Sequence, residues 1–172
     1  EIHSGDWSSD VCSSDLAVFS RLTGVHVIAS NYPGTTVEFT EGYMKHGQQK
    51  VRITDVPGTY TLEPTCEAEQ VAVRILAEGA DCIINVIDST NLERNLYLTL
   101  ELLERNIPVI LALNMWDETR HKGIHIDIEN LTEMLGIPAI PIVGVTGEGI
   151  KKLIETLPRA AAPVNPAADL SN

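Results

Sequence analysis

The chain has 172 residues, of which 44% are hydrophobic and 21% charged, as expected for one globular domain with a substantial core. Its formal net charge is −12, which argues against a nucleic-acid-binding protein because such proteins present a basic face. The three cysteines show no metal-type pairing, and no stretch approaches the roughly 20 apolar residues that a membrane span requires.

The N-terminal third of the chain predicts one helix and one hairpin. Residues 1–16 are rich in Ser and Asp without periodicity, so they are predicted to be irregular and a first strand is expected to be absent. Apolar residues at helical spacing predict a helix over 17–22. The segment 30–34 has the composition of a loop, whereas 36–44 and 50–55 are β-prone and predict a hairpin at an antiparallel edge of the sheet.

Strands and helices alternate from residue 50 onward. Buried strands are predicted over 81–87, 109–113 and 139–143, and helices over 67–78 and 90–105, near 128–135 and near 149–156. This alternation predicts an α/β domain with a mostly parallel sheet flanked by helices. Because ligands of such sheets bind beyond the carboxyl ends of the strands, the polar residues that follow the strands are candidate site residues.

The motif Asp55-Val-Pro-Gly58 follows one of these strand patterns. An aspartate at a strand end can hold the shell of a magnesium ion through water, and a glycine N–H can approach a γ-phosphate because no Cβ blocks it. The same four-residue pattern also occurs as an ordinary turn after a strand, and that alternative stays open for this motif taken by itself.

The motif Asn114-Met-Trp-Asp117 follows a longer apolar run. Guanine offers two donors, N1–H and the exocyclic N2–H₂, and one carboxylate accepts both, whereas adenine lacks the exocyclic donor. We expect Asp117 to read the base and Asn114 to brace the neighbouring loops. A helix N-cap after a strand is the alternative.

Two further loops supply weaker candidates. Gly34, Thr35 and Thr36 lie in a polar loop, where a threonine hydroxyl can bind Mg²⁺, an ion that prefers oxygen ligands. Gly144 and Val145 open a glycine-rich loop after the last strand, and backbone N–H groups in such a loop can contact guanine O6. A β-branched strand start and a strand-to-helix turn are the respective alternatives.

The phosphate-binding segment that normally accompanies these motifs is missing. A Gly-x-x-x-x-Gly-Lys-Ser/Thr loop is expected near the start of such a chain. The stretch found there reads Ser9-Asp-Val-Cys-Ser-Ser-Asp-Leu16, without glycine or lysine.

Four segments together resemble the N-terminal G domain of the ferrous iron transport protein B (FeoB) family, over about residues 17–157. The resemblance implies a P-loop-NTPase-like GTPase fold, with its first strand and phosphate loop absent here, and hydrolysis of GTP to GDP and phosphate. The four segments are Asn31-Tyr-Pro-Gly-Thr-Thr-Val-Glu38, Asp55-Val-Pro-Gly-Thr-Tyr60, Asp88-Ser-Thr-Asn-Leu-Glu-Arg-Asn-Leu-Tyr97 and Ala112-Leu-Asn-Met-Trp-Asp117.

The resemblance also implies a role for each candidate. GTP, Mg²⁺ and K⁺ are the implied ligands, with backbone near Ser30 and Tyr32 forming the potassium site. Gly144 and Val145 stand where the family usually has Ser-Ala or Ser-Thr. The implied catalytic residues are Thr36 and Gly58, the magnesium-side residues are Thr36 and Asp55, and the nucleotide-binding residues are Asn114, Asp117, Gly34, Thr35, Gly144 and Val145.

The departure at the start of the chain bears on its activity. Asp15 stands at the position of the phosphate-loop lysine, Leu16 at that of the magnesium-binding Ser/Thr, and Cys12 at that of the potassium-binding asparagine. Two charges about 4 Å apart interact by roughly 4 kcal/mol at an effective dielectric constant of about 20. We therefore expect the chain as written to bind GTP poorly, and whether it is an enzyme stays open.

We expect three segments, namely 1–16, a G domain over 17–157, and an Ala/Pro-rich linker or truncated end over 158–172. The first resembles translated sequencing-adapter read-through and is hypothesised to be non-native or disordered. The family adds a helical regulatory domain and a membrane permease, which implies the cytoplasmic face of the bacterial inner membrane, with this fragment soluble by itself. A non-catalytic pseudo-GTPase interaction module and a ribosome-assembly GTPase are the alternatives, and the acidic charge counts against the second.

Overall fold

The computed structural model describes residues 6–10, 16–24, 27–46, 49–57, 62–78, 80–104 and 108–160. For residues 6–10, 27, 49 and 158–160 only the backbone is described. The predictions made for Gly58, Cys12 and Asp15 lie outside the described residues.

The described strands form one seven-stranded sheet in the order β2-β3-β4-β1-β5-β6-β7. Strands β4, β1, β5, β6 and β7 are mutually parallel, while β2 and β3 extend the sheet as an antiparallel edge. This confirms the α/β class, the mostly parallel sheet and the hairpin. The strands are β1 Asp6–Asp10, β2 Val27–Asn31, β3 Glu38–His46, β4 Gln49–Val56, β5 Ile83–Asp88, β6 Val109–Asn114 and β7 Ala139–Pro141.

The prediction that a first strand is absent was wrong. Strand β1 lies at the centre of the sheet, where Ser9 pairs with Asp55 of β4 and with Ile84 of β5. Its sequence Asp-Trp-Ser-Ser-Asp lacks the apolar run typical of a parallel strand covered on both faces, so its residues gave no strand signal. The residues 1–16 are therefore not irregular throughout.

A second strand also went unpredicted. The segment 30–34 was expected to be a loop, but Ser30 and Asn31 end β2, which pairs antiparallel with β3. Strand β2 lies at the edge of the sheet and none of the side chains described for it is buried, so no apolar pattern marks it in the sequence. The turn itself is confined to the residues between β2 and β3.

The helices cover the two faces of the sheet and largely match the prediction. Three differences occur. Helix α4 was not predicted, and a 3-10 helix, Ser89–Asn91, precedes α3 with Asp88 as its N-cap. Helix α6 continues past Pro158, so the expected linker start lies inside a helix. The α-helices are α1 Leu16–Thr23, α2 Glu67–Glu78, α3 Leu92–Glu104, α4 Trp116–His121, α5 Ile128–Leu135 and α6 Ile150–Ala160.

Two apolar clusters, one on each face, hold the sheet. In β5, Ile84 and Val86 point into a cluster that also contains residues of α1 and α6. Ile83 and Ile87 point into the other cluster, together with residues of α2 and α3. Because successive side chains of a strand point to opposite faces, a continuous apolar run is needed to fill both clusters. The sheet is thus covered on both sides, and its carboxyl-end edge is left to carry polar groups.

Candidate functional site

Polar residues from β4, β5 and β6 lie at the carboxyl-end edge of the sheet. Asp55 is the penultimate residue of β4, and Asp88 and Asn114 end β5 and β6, where they are paired with each other in the register. The backbone of Asp10, at the end of β1, lies between Val56 and Asn85. The fold therefore brings the predicted strand-end residues to one edge, as the parallel sheet requires.

Asn114 links the end of β6 to the loop that follows β7. Its side chain is buried, and its Oδ1 accepts hydrogen bonds from the backbone N–H groups of Met115 (2.8 Å) and Gly144 (3.0 Å). The backbone carbonyl of Asn114 accepts a hydrogen bond of 2.6 Å from the buried Ser89 hydroxyl. The expected bracing of neighbouring loops by Asn114 is thus seen directly. Ser89 was missed, since a lone serine after a strand gives no distinctive signal.

The residues after Asn114 turn sharply to place Asp117. Met115 adopts a left-handed backbone with φ of 58° and stands at the N-cap of α4. The backbone N–H of Trp116 donates to the Ile142 carbonyl at 3.2 Å, so the start of α4 is bonded to the residue that follows β7. The half-buried Asp117 then lies in the first turn of α4, where the helix dipole favours a carboxylate.

The loop over residues 143–149 is a tight turn whose shape depends on glycine. Val143 donates its N–H to the Glu148 carbonyl at 3.0 Å, and Gly147 donates to the Val143 carbonyl at 2.8 Å. At Gly149, φ is +80° and a Cβ would lie 2.1 Å from the Pro141 carbonyl oxygen, so no other residue fits there without a shift of the backbone. The amide of Gly144 is already bonded to Asn114, while Val145 is 78% exposed.

Asp55 is a buried carboxylate that lacks a full set of partners. Within the described residues, its Oδ1 has no hydrogen-bond partner, although the residue is only 9% exposed. Burial raises the pKa of Asp55 from its ordinary 3.8 to about 6, because a low-dielectric surrounding disfavours the charged form. Such an unpaired buried oxygen is a natural ligand for a cation or for its bound water.

Asp88, by contrast, is a satisfied structural carboxylate. It accepts hydrogen bonds from the Thr90 N–H at 2.8 Å and from the Asn91 side chain at 3.1 Å. Partial burial would raise the pKa of Asp88, but these hydrogen bonds and the charge of Lys122 outweigh burial and leave the pKa lowered. Its chemistry is that of a cap for the 3-10 helix.

The loop between β2 and β3 forms a compact turn at the same edge. Tyr32 donates its N–H to the Val37 carbonyl at 2.9 Å, and Gly34 has φ of +81°. The Thr35 hydroxyl donates to the Tyr32 carbonyl at 3.0 Å and accepts the Val37 N–H at 3.2 Å, so it serves the turn itself. Thr36 is exposed.

Thr36 lies in the turn that precedes the β3 residues facing Asp55. The register pairs Asp55 with Thr40, four residues after Thr36 along the chain.

Neither a cluster of metal ligands nor a membrane-spanning helix is found among the described residues. Among them, no group of three or more His, Cys, Asp and Glu side chains could hold a metal ion. None of the helices that the structure describes is long and apolar enough to cross a membrane.

This fold and edge define an α/β domain of the G-domain type, and comparisons with known proteins give the family. The model of the family described as "Ferrous iron transport protein B" matches residues 13–157. The match begins four residues before the expected start at Ala17. The chain belongs to this family.

Individual relatives agree with this assignment. The chain is 48% identical over 143 residues to an Fe(2+) transport protein A/Fe(2+) transporter FeoB fusion protein of Porphyromonas gingivalis, covering 82% of this chain and 17% of that protein. It is 43% identical over 158 residues to the Fe(2+) transporter FeoB of Escherichia coli K12, covering 89% of this chain and 20% of that protein. The chain thus spans about a fifth of the length of these curated relatives.

Solved structures share the fold closely. The G domain of the T. maritima FeoB iron transporter superposes with a TM-score of 0.84 at 37% identity, covering 91% of this chain and 98% of that one. The cytosolic domain of the same transporter in a GDP form superposes with a TM-score of 0.87 at 36% identity, covering 93% of this chain and 64% of that one. These likenesses confirm the P-loop GTPase fold of the chain.

Proposed function

We propose that this chain is the guanine-nucleotide-binding domain of a ferrous iron transporter, of the kind that hydrolyses GTP to GDP and phosphate. The observation that carries the proposal is the buried Asn114 side chain, which joins β6 to the loop after β7. This linkage fixes the two segments that would enclose a base, with Asp117 opening the adjacent helix. Related G domains solved with GDP or GMPPNP support the same ligand class.

Guanine recognition would rest on Asp117 and on the loop after β7. The Asp117 carboxylate would accept the N1–H and N2–H₂ groups of the base, and the backbone N–H of Val145 would face its O6. Gly34 and Thr35 would form the flank of the nucleotide on the β2–β3 side. Adenine would be rejected because it has no exocyclic donor at the corresponding position.

Mg²⁺ fits the residues on the magnesium side. The unpaired, buried Oδ1 of Asp55 offers an oxygen of the type that this ion prefers. Asp55 and the Thr36 hydroxyl would hold the ion, which when bound neutralises charge on the phosphates. The Thr36 and Gly58 backbone would orient the terminal phosphate, so catalysis would rest on positioning and electrostatics.

A potassium ion belongs to the same proposal on family grounds only. Ser30 lies within β2, opposite Phe39, and Tyr32 opens the turn after it. Backbone carbonyls at this turn are hard oxygen donors, which suit an alkali-metal ion, and a comparison of K⁺ with Na⁺ is the measurement that tests the assignment.

The first experiment concerns the phosphate side. We predict that the chain as written binds GDP weakly, because Asp15 brings a negative charge where a lysine is expected. Replacing residues 9–16 with a Gly-x-x-x-x-Gly-Lys-Ser segment should lower the Kd for GDP by at least 100-fold and give GTP turnover, measured by calorimetry and phosphate release.

A low-micromolar Kd for the unaltered chain would refute the weak-binding prediction. A restored chain that binds GDP without turnover would instead favour the non-catalytic interaction module. Membership of the iron-transport family leaves the ribosome-assembly alternative without support.

The second experiment tests base reading by Asp117. In the restored chain, Asp117→Asn should weaken GDP binding by roughly 10- to 100-fold, the loss expected for hydrogen bonds to a charged acceptor. The same variant should strengthen binding of xanthosine diphosphate, because the amide donates to the O2 that replaces the amino group of guanine. Equal losses for both nucleotides would contradict the proposed role.

The larger assembly is also proposed from the family. A helical regulatory domain and a membrane permease domain would accompany this domain in the whole transporter, and the domain would then lie at the cytoplasmic face of the bacterial inner membrane. Guanine nucleotide is its proposed partner, and nucleic acid is not.

A further inference from the structure

Arg21 connects α1 to the loop after β7. One guanidinium nitrogen, Nη2, donates a hydrogen bond to the backbone carbonyl of Val145, across 124 positions of sequence. The same guanidinium lies beside Gly147, where a Cβ would stand 3.6 Å from the Arg21 Cζ, Nε and Nη1 atoms. The arginine therefore both bonds to the loop and packs along it.

Two other side chains hold the same loop from different elements. Asn114 of β6 accepts the Gly144 N–H at 3.0 Å, and Arg120 of α4 forms an ion pair of 2.8 Å with Glu148. Among the three described side chains that fix this loop, Arg21 alone comes from α1. Helix α1 follows the segment 11–15, which occupies the chain position of a phosphate loop.

We propose that Arg21 is a positioning residue that fixes the base-facing backbone at residues 144–145 to the helix that follows the phosphate side. The part of this inference that concerns the base rests on the proposed function. The N–H and the carbonyl of Val145 lie on either side of one Cα atom. A hydrogen bond to the carbonyl therefore restricts the backbone torsions that set the direction of the N–H toward guanine O6. Arg21 would thereby link the loop that contacts the base to the helix that follows the phosphate-binding segment.

A simpler role for Arg21 is a favourable charge in the last turn of α1, where the helix dipole attracts cations. That role stabilises α1 and is satisfied equally by lysine. It leaves the exchange rates of amides in residues 143–149 unchanged. The two roles therefore predict different results for the loop.

The first test uses the chain as it stands and needs no nucleotide. Arg21→Met keeps the length of the side chain but removes its donors, so amide hydrogen exchange over residues 143–149 should accelerate by roughly three- to tenfold. Arg21→Lys should restore part of the protection, and Lys152→Met, at an exposed position of α6, should change nothing. Unchanged exchange of this loop in Arg21→Met, or a uniform rise across the whole chain, overturns the proposal.

The second test uses the chain with a restored phosphate loop. Arg21→Met should raise the Kd for GDP by roughly three- to tenfold, but should alter the Kd for 6-thio-GDP by less than twofold, since sulfur is a weak acceptor. A merely structural defect would weaken both nucleotides by the same factor, and that result overturns the base-facing role. If the restored chain binds no GDP at all, the proposed function and the base-facing role both fail, and the exchange experiment still decides the contact itself.

Discussion

The buried carboxylate of Asp55 makes the stability of the apo protein depend on pH. Its pKa is raised to about 6 in the folded chain, so the folded state binds more protons than the unfolded state between about pH 4 and pH 6. Stability due to this group is therefore greatest below pH 4 and falls as the pH rises. Between pH 5 and pH 8 the loss should be about 1 to 1.5 kcal/mol.

Asp55→Asn removes this titration and serves as the comparison. Urea unfolding of both proteins at pH 5 and pH 8, without divalent cations, gives the free energy of unfolding in each case. The free energy of unfolding of the variant minus that of the unaltered chain should increase by about 1 to 1.5 kcal/mol from pH 5 to pH 8. The same difference at both pH values would show that Asp55 does not titrate in this range.

Two glycines with left-handed backbones provide a matched pair. Gly149 has φ of +80° and a blocked Cβ position, whereas Gly136 has φ of +67° with nothing within 4 Å of the Cβ position. Gly136→Ala should cost about 1 kcal/mol from backbone strain. Gly149→Ala should cost about 3 kcal/mol or more, because strain and overlap with the Pro141 carbonyl add. Similar losses in urea unfolding would show that the backbone around Gly149 relaxes.

The sequence predicted which side chains lie at the strand ends. It did not predict which of them keeps an oxygen without a hydrogen-bond partner. Asp55 and Asn114 were placed at the edge of the sheet because each follows an apolar run. Their different states depend on neighbours far away in sequence: Asn114 is satisfied by Gly144, while one oxygen of Asp55 is left unpaired among the described residues. Arg21 was missed for the same reason, since its contact spans most of the chain.

The central strand β1 is polar where a parallel sheet normally carries apolar residues. Ser8→Val and Ser9→Val together raise the intrinsic β propensity of this strand, and should raise the free energy of unfolding by about 1 kcal/mol. Ser20→Val, at an exposed position of α1, is the control and should change stability by less than about 0.5 kcal/mol. No gain from the double variant would mean that β1 does not contribute to the cooperative unit.

The turn after β2 is tied to the end of α2 by one hydroxyl. The Tyr32 hydroxyl donates to Glu78 Oε1 at 2.5 Å, and this hydrogen bond raises the pKa of the Tyr32 phenol. Tyr32→Phe keeps the ring, which packs edge-on against Phe39, and should accelerate amide exchange over residues 31–38 by roughly threefold. Tyr97→Phe, at an exposed position of α3, should leave that segment unchanged. Equal exchange in all three proteins would rule out a restraining role for the hydroxyl.

Elements with a continuous or periodic apolar pattern were predicted well. Helix α2 begins and ends at the predicted residues, and β5 and β6 lie within one or two residues of their predicted bounds. The missed strands are β1, whose pairing is imposed by the strands on either side, and β2, an edge strand with largely exposed side chains. Both are cases in which tertiary context supplies what local sequence does not.

The net charge of −12 opposes compaction through self-repulsion. Raising the ionic strength from about 0.01 M to about 0.2 M screens this repulsion. Tm should rise by a few degrees, which corresponds to about 1 kcal/mol in the free energy of unfolding. Sodium and potassium chloride should act equally if screening is the whole effect. A larger rise in KCl would support the potassium site inferred for the turn near Ser30 and Tyr32.

The residues proposed to enclose the base belong to a separate stretch of chain from those proposed to hold phosphate. Asn114, Asp117 and the loop 143–149 all follow residue 113, whereas the phosphate-loop position and the residues proposed for the phosphates and their ion all precede residue 59. Guanosine, a nucleoside with no phosphates to repel, would meet the same surface in the unaltered and the restored chain. Its binding would therefore report the contribution of the base and ribose without the phosphates, a quantity that an intact G domain conceals within its total affinity for nucleotide.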